Sequence, residues 1–160
     1  MSTDNSTLVS GLKTNSQLYK KATDGIPAEK WLIRPSDDSN HLLWIAGHIV
    51  AHRAIMSKLL GRQWSAPWET LFVRGAKLAA PEELPSVEEI QRAWGEVSEM
   101  LKTSLASAPA EVLARPVEKQ VPSFDGTIGG SIAFLSLHET YHMGQMSYLR
   151  KWLGYGQVVG

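Results

Sequence analysis

The sequence predicts an all-α protein, a four-helix bundle. Apolar residues recur at helical spacing along four stretches, and none alternates in the two-residue rhythm of a half-buried strand. Capping and stopping residues bracket those stretches. A chain of 160 residues is expected to form one domain, residues 1–160, and to bury a sizeable core.

The first helix is expected through the teens, where Leu8, Leu12, Tyr19 and Ala22 share a face, and Gly25 and Pro27 stop it. Asn40 is the expected N-cap of a second helix reaching Leu60, with Gly61 just past its end. Ser86 and Glu89 form a capping box before Val87, Ile90, Trp94, Val97 and Leu101, the apolar face of a third helix. Pro109 closes it, and one short helical turn is expected beyond. The fourth helix starts at Thr127 or Ser131 and runs to Leu153, ended by Gly154 and Gly156. Four such helices without strands make a bundle. The connection from Arg62 to Pro85 holds Pro67, Pro81, Trp64 and Trp68, too long and too apolar for a plain turn. It is either a lid or a plug for one end of the bundle.

Sixteen basic and sixteen acidic side chains cancel, so no bulk field attracts a polyanion and nucleic-acid binding is not expected. The absence of cysteine removes disulfides, thiolate metal ligands and a catalytic thiol together. No stretch approaches the roughly 20 apolar residues a bilayer needs, so no membrane role is expected. The opening MSTDNSTLVSGLK lacks the basic head and apolar run of a leader. A cytoplasmic location is the expectation.

All five histidines fall on two helices. At 100° per residue, His138 and His142 lie about 40° apart on the arc of Ile128, Leu135, Met146, Leu149 and Leu153. The outer face then reads as a strip of Ser136, Thr140, Ser147 and Lys151. His41, His48 and His52 share a similar sector with Ile45, Ile55 and Leu59. Inward imidazoles each carry a donor and an acceptor that need partners, and the stripes offer only Glu139, at the edge of the arc, and Gln145. A divalent ion satisfies several ring nitrogens at once, and the i, i+4 spacing suits two ligands of one ion.

Residues 138–142, His-Glu-Thr-Tyr-His, match the H-E-x-x-H pattern of zinc proteases. Nothing after His142 is His, Asp or Glu, so a third ligand must come from upstream, where the second helix has its inward histidines. With no strand on which to lay a peptide, a protease is not expected.

The stretch LLWIAGHIVAHRAIMSKLLG, followed downstream by HETYHMGQMSYLRKWLG, resembles the DinB-like family of metal-binding four-helix bundles. The Trp/Phe-rich loop and PSVEEIQRAW fit as well, so the resemblance spans nearly the whole chain. It implies an up-down-down-up helix order and one divalent ion near one end of the bundle. The implied ligands are His48, in IAGHIVAH, with His138 and His142; the ending His142-Met143-Gly144-Gln145 also fits. His52 is read as orienting a ligand or a bound water, with membership of the coordination set as the alternative. His41 is expected near the helix start, apart from the site. Gly144 is read as a close-packing position.

Three neutral imidazoles leave open positions on an ion. They suit zinc, nickel, copper or iron, with zinc or nickel favoured. Relatives in the family use a low-molecular-weight thiol as cosubstrate, so the resemblance implies a thiol transferase acting on a small-molecule substrate. Arg53, Arg74 and Arg150 are candidates for an anionic cosubstrate. Two alternatives stand beside this reading: a hydrolase with Glu139 as catalytic base, and a non-catalytic metal-binding bundle. Six tryptophans allow a homodimer interface or fill a core equally well.

Overall fold

The computed structural model describes residues 5–159; the first four residues and the last of the expected domain lie outside the described residues. Five α-helices follow in order among the described residues: α1 (Asn5–Thr23), α2 (Leu42–Leu59), α3 (Val87–Ala106), the single-turn α4 (Ala110–Leu113) and α5 (Ile128–Trp152). Among the described residues there is no strand, only an isolated bridge between Pro116 and Thr127. The all-helical expectation holds, including the short turn after Pro109.

Local chemistry sets the boundaries. Gly25, Gly61, Gly154 and Gly156 all have positive φ just past a helix end, where residues with a Cβ are strained. Ser86 and Glu89 complete their capping box, and the Thr127 hydroxyl caps α5. The cap of α2 differs from the expectation: it is His41, whose Nδ1 accepts the Trp44 N–H at 3.0 Å, and not Asn40. His41 is buried and turned back over the first turn, which places its ring acceptor where an asparagine oxygen would serve in other helices. Burial, then the charge of Arg34, lowers its pKa to about 4.

That pKa carries a prediction. Between about 4 and the ordinary value of 6.5 the unfolded chain binds a proton that folded His41 does not, so stability falls as pH drops through this window. His41→Asn keeps a cap without the titration. Its unfolding free energy should lose one proton's worth of slope there, at most about 1.4 kcal/mol per pH unit, as measured by urea denaturation from pH 7 to 4.

Side-chain contacts give the helix directions. Asn15 donates to the Ser136 carbonyl, Thr140 donates to Asn15, and Arg150 reaches the Asp24 carbonyl, so α1 and α5 run the same way. Arg62, just past α2, donates to Ser104 near the end of α3, so α2 and α3 also run together. Asn5 bonds the carbonyls of Leu105 and Ala108, and Tyr19 stacks on Trp94 at 4.0 Å, which sets α1 against α3 antiparallel. The two pairs therefore run in opposite senses.

Helix α2 is central: every residue from His41 to Ala51 is buried. Beyond Ala51 it buries one face, through Arg53, Ala54, Met56 and Ser57. Ile55, expected inward, lies on the other face and is 43% exposed. One apolar cluster gathers Tyr19, Trp31, Trp44, Phe72, Trp94 and Met146. A second gathers Leu8, Met56, Leu101, Leu105, Ile132 and Leu135. Trp64 and Trp68 pack half-buried against the first cluster, and the 62–85 connection thus seals that part of the bundle.

Candidate metal centre

Helices α2 and α5 lie antiparallel, and their histidines meet in facing rows. The His48 and His142 rings are 4.8 Å apart, and those of His52 and His138 4.6 Å apart. Ring nitrogens of His48, His138 and His142 all lie within 4.8 Å of one another. The three positions that the resemblance singled out are brought together, and such a group could hold a metal ion. His41 caps α2 and stands apart. His48 and His142 are buried, whereas His138 is half-buried at the rim of the groove and not turned fully into the core.

The outer nitrogens are already engaged. His48 Nδ1 lies 2.6 Å from the Phe72 carbonyl, which can only accept, so Nδ1 carries the proton and Nε2 the lone pair. That Nε2 has no hydrogen-bond partner among the described residues. His142 Nδ1 donates to Gln145 Oε1 at 2.7 Å, which again leaves Nε2 as the lone pair. His142 Nε2 then faces His138 Nε2 at 3.2 Å, close to the roughly 3.3 Å between two nitrogens on one tetrahedral zinc. Without an ion, one proton on His138 can bridge this gap. With His138 Nε2 free, its Nδ1–H donates to His52 Nδ1, 3.0 Å away. The donor set therefore fits a divalent cation: three lone pairs, each backed by a partner on the far nitrogen.

Burial keeps these rings neutral, the form that binds metal. It lowers the His142 pKa to about 4 and that of His52 to about 3, and it also lowers His48 and His138. The neighbouring histidines add to the shift at His52, and the cation of Arg74 adds to that at His138.

Phe72, in the 3₁₀ turn Glu69–Phe72, is a functional residue that sequence reasoning missed. Its carbonyl fixes the His48 tautomer, and its ring lies on Gly47. A Cβ at Gly47 would fall 2.6 Å from that ring, so only glycine lets the connection dock there. Gly47→Ala should lift Phe72, cost about 1–3 kcal/mol by overpacking and loosen His48. Calorimetric zinc titration of the refolded variant should show weakened binding.

Glu139 is not at the edge of the arc. It is fully buried, with both oxygens held by Arg53: Nε to Oε2 at 2.8 Å and Nη2 to Oε1 at 2.6 Å. Arg53 spends its remaining donors on Ser16, Ser98 and the Leu12 carbonyl, and its guanidinium lies 3.9 Å over the Trp94 ring. It is 2% exposed and saturated, so it has no free donor for a cosubstrate. Arg150 is turned to the Asp24 carbonyl and the Tyr155 ring. Arg74 is exposed, and its charge reaches His138.

Two further expectations are corrected. A Cβ at Gly144 would meet nothing within 4 Å, so this glycine is not a close-packing position. The outer face of α5 is also wider than a polar strip: Leu137, Tyr141, Tyr148 and Trp152 are exposed, while Ser136 and Thr140 bond Asn15 of α1.

Fold and site define a helical bundle with a three-histidine cluster that could bind a metal. The chain belongs to the DinB superfamily, whose family model matches residues 12–146. No curated protein matches it significantly. No helix among the described residues is long and apolar enough to cross a membrane.

Proposed function

We propose that His48, His138 and His142 hold one divalent cation, zinc or nickel, through Nε2, and that the protein is a thiol-dependent transferase. The observation that carries the metal reading is the approach of two Nε2 atoms to 3.2 Å beside the unpaired Nε2 of His48. A divalent cation there supplies a Lewis acid that lowers the pKa of a small thiol and favours its attack on an electrophile. The chain itself has no cysteine to compete for that role.

The protein's own groups set up the site. Phe72 and Gln145 hold two rings in the tautomer that turns Nε2 inward, and His52 accepts a hydrogen bond from the Nδ1–H of the third. Arg74 offers a nearby positive charge to an anionic thiol. Glu139, saturated by Arg53, serves in this reading as a structural partner and not as a hydrolytic base. The test is a panel of biological thiols with a generic electrophile, run on zinc- or nickel-loaded protein, metal-stripped protein and His48→Ala. Turnover only in the loaded wild type is expected; equal rates in all samples for every thiol would sink the transferase reading.

A further inference from the structure

One turn from His48 and His142, toward the start of α2, an open cleft of about 620 Å³ lies between α5 and the connection that leads into α2. This lies within the range of small-molecule sites. Tyr141, Gly144, Gln145 and Tyr148 of α5 form one wall; Asp38 and Asn40, from the connection before α2, form the other.

Gly144 marks the cleft as more than a surface irregularity. An interior helical glycine costs about 0.5–1 kcal/mol relative to alanine, and here no helix packs against it to require one. What its missing side chain leaves open is the cleft.

The lining has one sign of charge. Among the described residues no lysine or arginine borders the cleft, and the single ionised group there is the Asp38 carboxylate. Arg34, on the same connection, is turned to Asp37 and to the Asp37 and Ser39 carbonyls. The side chains of Asp38, Asn40 and Tyr148 make no hydrogen bond or ion pair among the described residues. Two exposed tyrosines and a free carboxylate lining one cleft match an organic cation, which gains from aromatic rings and from charge. The wall also touches the histidines: Gln145 accepts from His142 and donates to the Tyr141 hydroxyl, and the Tyr141 and His142 rings are 5.3 Å apart.

We propose that this cleft binds an alkylammonium group, the headgroup of a substrate whose reactive part reaches the three histidines. The substrate assignment rests on the metal reading; binding of the cation does not. The experiment is calorimetric titration of choline, with acetate and glucose as controls, into metal-free and zinc-loaded protein. Choline should bind saturably to both forms, and the controls should not. Tyr148→Leu should weaken binding by about 3–30-fold, and Asp38→Asn should weaken it as well. Gly144→Leu, which adds a good helix former over open space, should stay folded by circular dichroism, retain zinc and lose choline. No saturable choline binding, tighter binding of acetate or glucose, or unchanged affinity in Gly144→Leu would overturn the proposal. Choline binding without zinc uptake would keep the cleft and remove the metal reading; zinc uptake without choline binding would do the reverse.

Discussion

Replacing Arg53 by methionine should lower the stability of the fold by about 3–5 kcal/mol, a drop in Tm of roughly 6–20 °C for a chain of this size. Arg53 and Glu139 are 2% and 0% exposed in their side chains, and the pair sits between the two apolar clusters. All five guanidinium donors are used, on groups from α1, α3 and α5, so this one side chain of α2 joins all four long helices. Methionine fills much of the volume but leaves an unpaired carboxylate in the core and strips the Ser16, Ser98 and Leu12 acceptors of their donor. The penalty comes from the orphaned charge, so the double variant Arg53→Met/Glu139→Leu should regain most of the loss. Urea denaturation of the two single variants and the double variant gives the coupling energy directly. A single variant within 1 kcal/mol of wild type would show that the pair is not the bundle's central tie. Glu139→Gln separates the roles further: a proton-transfer group would lose turnover at unchanged stability, a structural partner the reverse.

The helices were legible because their signals are local. Spacing, the Ser86–Glu89 box and the stop glycines act within a turn or two of chain. The histidine pairing was legible for the same reason: i, i+4 on α5 and its counterpart on α2 survive any detail of packing. What escaped depends on neighbours distant in sequence. A wheel centred on His138 and His142 sets Glu139 at its edge; the folded helix centres its buried arc on Leu135, Glu139 and Met146, which moves His138 to the rim. Nothing local told Glu139 that Arg53 stands opposite, 86 residues away. The Phe72 carbonyl is backbone and has no sequence signature of its own. Its one trace is Gly47, the single glycine of α2. Gly144 was readable as a glycine, but whether it admits a neighbour or keeps a space open is a property of the assembled groove.

Alanine at His48, His138 or His142 should each abolish tight zinc binding, and this is the sharpest test of the centre. Each change removes one of three ring-nitrogen ligands that lie within 4.8 Å of one another, so the loss should exceed the about 10–100-fold typical of a residue that only supports a ligand. His52→Ala and Gln145→Leu, which remove such supports from His138 and His142, should fall within that smaller range. His41→Ala should leave affinity unchanged, since that ring caps α2 and faces Trp44. The pH dependence follows from burial. A free imidazole is mostly protonated by pH 5.5, but His142, with its pKa lowered to about 4, stays neutral there, and His48 and His138 are shifted in the same direction. Protons compete with the metal only as pH falls toward the lowered values. Zinc affinity should therefore fall off at lower pH than it does for free imidazole ligands, with the His142 contribution lost only as pH approaches about 4. Calorimetry from pH 7 to 4, read beside metal analysis of each variant, decides it: full occupancy in His138→Ala would remove the three-histidine centre.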